Sequence, residues 1–173
     1  MTGGHMRAGA TPVLALDLGG VVIFRHADPS KGLLGPRPEQ AAPVSGALEA
    51  LAALATIFNS DVVIISRAGP KVVDASLRWL DSHDVWSILG IGRERAHFVR
   101  RPAPEMKDGI ARSYGVTHFV DDDVKVLAAS SARHRFLFSG GSDGPSRAPD
   151  LPARTVRANG WTAALASISA TVR

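Results

Sequence analysis

Aspartates at 17, 121 and 122, a serine at 66 and a lysine at 107 are the residues of this sequence best suited to moving a phosphoryl group. A carboxylate can attack phosphorus and form an acyl phosphate. The attack brings an anion to an anion, so it needs cations and hydrogen-bond donors around it. Asp17 with Asp121 and Asp122 offers oxygen ligands for a hard divalent ion such as Mg2+, which would also screen the repulsion within the acidic cluster. Ser66 and the backbone N–H groups of the turn after it suit phosphate oxygens, helped by the positive end of the next helix. Lys107 would neutralise both Asp17 and the incoming phosphoryl group. With no cysteine in the chain, disulfides, thiolate metal ligands and a cysteine nucleophile are excluded.

The five residues are far apart in number, so secondary structure must bring them together. Val13-Leu14-Ala15-Leu16 is a short apolar run ended by Asp17 and then Gly19-Gly20, which reads as a strand buried on both faces. Val62-Val63-Ile64-Ile65 is a second such run and stops at Ser66-Arg67. Ala96 to Val99, Thr117 to Val120 and Arg135 to Phe138 read as three more strands, the fourth stopping at Asp121-Asp122-Asp123. Between them, apolar residues at helical spacing predict helices over 47–58, 70–81, 105–114 and 124–132, with a last helix over 161–172. Residues 84–95 are ambiguous, and Pro- and Gly-rich loops fill 25–46 and 139–152. Strand and helix alternate about five times. That predicts a Rossmann-like three-layer α/β/α sandwich, with a mainly parallel five-stranded sheet and right-handed crossovers. In such sheets ligands bind beyond the carboxyl ends of the strands, where Asp17, Ser66 and Asp121-Asp122 would lie.

The segments around these residues resemble the four motifs of the haloacid dehalogenase-like (HAD) hydrolase superfamily. Leu14-Ala15-Leu16-Asp17-Leu18-Gly19-Gly20-Val21-Val22 is similar to motif I, Val63-Ile64-Ile65-Ser66 to motif II, Lys107 to motif III and Phe119-Val120-Asp121-Asp122 to motif IV. The resemblance spans residues 13–138. It implies an Mg2+-dependent phosphatase in which Asp17 is nucleophile and metal ligand and the Gly19 carbonyl also binds the metal. Ser66 would bind phosphate, Lys107 would stabilise charge, and Asp121 with Asp122 would complete the metal site. One departure stands out. Many relatives carry an acid/base aspartate two positions after the nucleophile, and here that position is Gly19, which can neither protonate a leaving group nor activate water. His26, Asp123, a substrate with a good leaving group, or a degenerate domain that binds phosphate without turnover are the readings this opens. Cap domains of the family follow motif I or motif II. Only 25–46 is left for one here, so the chain resembles the capless members, whose open sites suit a large substrate or rely on another subunit to exclude water.

The remaining residues set the context. The chain has 173 residues, 45% hydrophobic and 21% charged, which fits one globular domain and excludes wholesale disorder. Residues 1–10, containing Met1-Thr2-Gly3-Gly4-His5-Met6, read as a tag remnant with no signal-peptide core, leaving a single domain over 11–173. No apolar run reaches the ~18 residues that a membrane span requires, so a cytoplasmic protein with no membrane partner is expected. Arg25 and His26 follow motif I, and Arg67 follows Ser66, as candidate substrate contacts. The net charge of +4 and the stretch Arg93, Arg95, Arg100 and Arg101 admit a nucleic-acid end as substrate, but a solvated basic face is the simpler reading. Asp123 is read as a helix cap, His97 and His118 as structural, and Gly140-Gly141 and Gly144 as a loose loop.

Overall fold

The structure is a computed structural model and describes residues 11–144 and 150–172. The segment read as a tag remnant lies outside the described residues, as does part of the 139–152 loop.

Among the described residues six strands form one fully parallel sheet: β1 (Leu14–Leu16), β2 (Val62–Arg67), β3 (Ala96–Val99), β4 (His118–Asp121), β5 (His134–Ser139) and β6 (Thr155–Asn159). Their order across the sheet is β3-β2-β1-β4-β5-β6. The sheet thus has one strand more than the sequence predicts. β6 escapes notice because Thr155-Val156-Arg157-Ala158-Asn159 alternates polar with apolar residues, as an edge strand paired on one side does, and only Ala158 is fully buried.

The alternation of side chains along each strand sorts the helices into two layers. Leu14, Leu16, Val62, Ile64, Val120, Phe136 and Phe138 face one way. They pack against α1 (Ala47–Ile57), α2 (Pro70–Ser82), α3 (Val85–Leu89) and α6 (Trp161–Ser169). Ala15, Val63, Ile65, Phe119 and Leu137 face the other way, against α4 (Ala103–Ser113) and α5 (Val124–Ala129). Strands buried on both faces are why β1 and β2 read as unbroken apolar runs. The ambiguous 84–95 stretch holds the short helix α3, entered through Asp84 in the left-handed conformation and closed by Gly90, also left-handed. α5 stops at Ala129, three residues earlier than its sequence suggests, because Ser130 is extended and its hydroxyl accepts from the N–H of Ala132.

The chain leaves β1 toward β2 and β3, then crosses back to β4 and on to β5 and β6. The direction reverses between β1 and β4, which are neighbours. That is the topological switch point, where a crevice opens at the carboxyl ends of the strands. The segment after β1 returns on itself: the Phe24 N–H donates to Ala42 O at 2.9 Å, and the Val44 N–H to Val22 O at 2.8 Å. Two buried indoles hold this segment, with Trp161 Nε1 donating to Val21 O at 2.9 Å and Trp79 Nε1 to Ala41 O at 2.8 Å. Among the described residues no helix is long and apolar enough to cross a membrane.

Candidate active site

Register alone brings the acidic residues together. Leu16 pairs with Val120 across β1 and β4, so the next residues, Asp17 and Asp121, emerge side by side at the switch point. Leu16 also pairs with Ile64, which places Ser66 at the neighbouring strand end. Lys107 reaches the same point from the second turn of α4, and its ammonium is buried at 2% exposure. Its Nζ lies 3.1 Å from Asp17 Oδ1 and donates to Asp121 Oδ2 at 2.7 Å. Asp122 completes the group: one carboxylate oxygen each from Asp17, Asp121 and Asp122 lie within 4.8 Å of one another.

The electrostatics of this cluster follow from one buried ammonium facing several carboxylates. Burial by itself pulls the Lys107 ammonium down, but Asp17 and Asp121 outweigh it and hold Lys107 above the usual lysine range. Asp121 feels opposing pulls: burial and Asp17 push it up, and Lys107 pulls it down. Its net direction is upward, because burial and then Asp17 outweigh the ammonium. Asp122 is pushed up to about 6 by burial and by Asp17, with Arg25 acting against them. Clusters of acids raised in this way mark sites that bind a cation or do chemistry.

Asp17 Oδ1 is buried and accepts no well-directed hydrogen bond; its contact with Lys107 is an ion pair only. A buried carboxylate oxygen without a donor is costly, and an all-oxygen donor set suits a hard cation. The residues therefore fit Mg2+.

Every sequence-predicted candidate lines one cavity of about 1050 Å³: Asp17, Gly19, Arg25, His26, Ser66, Arg67, Lys107, Asp121 and Asp122. Their engagement differs. Ser66 is buried at the end of β2, and its hydroxyl bonds to no other described residue. Arg25 turns inward: Nη1 donates to Asp122 Oδ2 and Nη2 to Gly19 O, both at 2.8 Å. His26 packs edge-on against Phe24, its Nδ1 3.6 Å from Asp143 Oδ2. Asp123 is the helix cap, accepting from the Lys125 N–H at 2.9 Å. Of the basic stretch, Arg93 pairs with Asp81, and Arg95 pairs with Asp61 and lies over the Tyr114 ring. His118 is buried near Phe58 and His134, and its Nε2 lies 3.1 Å from Thr171 Oγ1.

The residues around Gly140-Gly141 are not a loose loop. The Arg25 N–H donates to Gly141 O at 2.8 Å, and Arg25 bridges to Ser142. A Cβ on Gly141 would overlap the Gly20 carbonyl, so two backbones meet where only glycine fits. Gly20 itself has φ +80°, and its missing Cβ leaves room for the Asp122 carboxylate. Sequence reading also missed Lys125, Leu33, Leu34 and Arg157 on the cavity wall. Lys125 had one signal, its place in the first turn after Asp121-Asp122.

No family model matches the chain, and neither does any curated protein. A solved structure does: a haloacid dehalogenase-like family hydrolase from Xanthomonas campestris, 15% identical, with a TM-score of 0.54 over 79% of this chain. The chain spans 59% of that protein's length. At that identity the likeness is one of fold, and it is the fold the four segments around Asp17, Ser66, Lys107 and Asp121-Asp122 imply: the chain has the haloacid dehalogenase-like hydrolase fold.

Proposed function

We propose that the chain is an Mg2+-dependent phosphatase of the HAD type that works through an aspartyl-phosphate on Asp17. The observation that carries this reading is the convergence of Asp17, Lys107, Asp121 and Asp122 at the switch point, with Asp17 Oδ1 left without a hydrogen-bond donor. Asp17, Asp121, Asp122 and the Gly19 carbonyl would hold Mg2+, which would supply charge neutralisation for the phosphoryl group.

In this reading an Asp17 oxygen attacks phosphorus, the bond from phosphorus to the leaving oxygen breaks, and an acyl phosphate forms. Water then attacks the same phosphorus, releasing phosphate and restoring the carboxylate. Lys107, itself buried, holds Asp17 in place and offsets the negative charge that gathers there. Ser66 donates its free hydroxyl to a phosphoryl oxygen, and Arg67 beside it faces the same cavity.

The domain is proposed to run over 11–173 as a single capless unit, with 25–46 standing where a cap would be inserted. Leu33 and Leu34 of that segment form part of the wall, and the open mouth suits a large phosphorylated substrate or a second copy of the chain. A cytoplasmic location goes with this reading.

The test is phosphate release from a panel of phosphate compounds with and without Mg2+. Mg2+-dependent release that Asp17→Asn abolishes is expected, and undiminished release by that variant would refute the mechanism. A second reading, a domain that binds phosphate without turnover, is favoured by Gly19, which carries no acid/base, and by Arg25, whose guanidinium holds the Gly19 carbonyl. Tight binding of Mg2+ and phosphate with no release from any panel member would select it.

A further inference from the structure

Arg25 and the proposed Mg2+ site draw on the same oxygens. The Arg25 guanidinium donates from Nη2 to Gly19 O and from Nη1 to Asp122 Oδ2, both at 2.8 Å. A planar fork that reaches two oxygens with two different nitrogens lies across the space between them. Mg2+ takes its oxygens at about 2.0–2.1 Å in near-ideal octahedral geometry. An ion holding the same two oxygens would lie in that space, pressed against a second positive charge. Ion and guanidinium therefore exclude each other there.

The seat of the guanidinium is built by the backbone. A Cβ on Gly19 would lie 3.3 Å from Arg25 Nη2, and a Cβ on Gly20 would overlap the Asp122 carboxylate and lie 3.5 Å from Arg25 Cζ. The two glycines thus clear the room in which Arg25 meets Asp122. The root of the side chain is fixed as well. The Arg25 N–H donates to Gly141 O at 2.8 Å, and Arg25 O accepts from the Asp143 N–H at 3.4 Å. The tip is not fixed in the same way. The Arg25 side chain is 55% exposed, so its guanidinium can swing into water with little loss of burial. An arginine–carboxylate pair exposed to that extent is weak enough for a divalent ion to displace.

On the Mg2+ reading of the site given above, we propose that Arg25 is a built-in competitor of the metal. Its guanidinium latches Gly19 O and Asp122, and a divalent cation takes those oxygens only as the latch opens. The apparent Mg2+ affinity is then lower than that of the acidic set alone, in proportion to the fraction of time the latch is open. The site accordingly fills over a higher range of Mg2+ concentration.

The experiment measures Mg2+ binding by calorimetry in wild type, Arg25→Gln, Arg25→Lys and Arg25→Ala. Arg25→Gln should bind Mg2+ at least about fivefold more tightly than wild type. Arg25→Lys decides between a latch and a repelling charge, because it keeps the charge and loses the fork. It should bind Mg2+ at least about twofold more tightly than wild type. Dilute free guanidinium should weaken Mg2+ binding to Arg25→Ala and leave wild type unchanged. In a 15N–1H spectrum of wild type, the Arg25 guanidinium signals should move toward those of a solvated arginine as Mg2+ is added. Arg25→Lys binding Mg2+ as wild type does, weaker binding by Arg25→Gln, or guanidinium signals that stay in place at saturating Mg2+ would overturn the latch and leave the phosphatase reading standing. No Mg2+ binding by any of the four proteins would bring down both. Phosphate release that persists undiminished in Asp17→Asn would bring down the phosphatase mechanism instead, whatever the affinities are.

Discussion

Replacing Lys107 by methionine keeps an unbranched side chain, one atom shorter, and removes the charge. The ammonium is 2% exposed and sits 3.1 Å from Asp17 and 2.7 Å from Asp121, themselves buried. Without it those carboxylates face each other uncompensated, and removing one partner of a buried ion pair destabilises by about 3–5 kcal/mol. The pH dependence has a definite sign. Asp121 is already raised above its ordinary 3.8 by burial and Asp17, and Lys107 is the group pulling it back. In Lys107→Met the folded state therefore holds the Asp121 proton more tightly than the unfolded chain does. The penalty is smallest below pH ~4 and grows as pH rises through the folded-state value. Urea unfolding at pH 4.5, 6 and 8 should show the gap to wild type widening with pH. Saturating Mg2+ should narrow it at pH 8, because the variant's uncompensated carboxylates bind the cation more tightly than the wild-type site, and at saturation the gap shrinks by the difference between the two binding free energies. A gap under about 1 kcal/mol at pH 8 without Mg2+ would mean that the three groups are not an electrostatic unit, and the reasoning about the site would fail with it.

Three further outcomes are expected. Because Asp122 is pushed up to about 6, Mg2+ affinity measured by calorimetry should fall as pH drops below 6, and Arg25→Gln should move that midpoint upward, since Arg25 pulls Asp122 down. His118 is lowered to about 4 by burial, then by His134 and Arg133. The unfolded chain takes up a proton near 6.5 that the folded one refuses, so stability is intact above 6.5 and about 2 kcal/mol is lost by pH 5. Denaturant midpoints for His118→Gln should show a correspondingly flatter acid limb. Gly141→Ala forces a Cβ onto the Gly20 carbonyl and should cost at least about 2 kcal/mol, seen as a lowered Tm.

How legible the molecule was depended on burial. β1 and β2 could be read because both faces are covered and every residue is apolar up to the functional one, Asp17 or Ser66. Asp17 and Asp121 could be placed on one edge because parallel strands carry their carboxyl ends together, whereas Lys107 joined them only through the phosphoryl-transfer chemistry and the resemblance to the HAD motifs, since its helix follows β3 at the sheet's edge. β6 could not, because an edge strand needs only part of its residues apolar and this one follows a Pro- and Gly-rich stretch. The role of Arg25 was out of reach for another reason. Its bonds to Gly19, Asp122 and Gly141 depend on a turn after β1 that is set by tertiary contacts with Trp161 and the 140–143 loop. Gly140-Gly141 carried the composition of a linker, and only the approach of Gly20 shows that it is a packing surface.

The two buried indoles give the segment after β1 its mechanical character. Its ends are paired with each other, Val22 with Val44 and Phe24 with Ala42, and each end is also gripped from the core, by Trp161 at Val21 and by Trp79 at Ala41. The base of the segment is therefore clamped, and any rearrangement has to take place in the residues beyond Phe24. A ligand that strained the base would pull on a tryptophan, so intrinsic fluorescence would register it without a label.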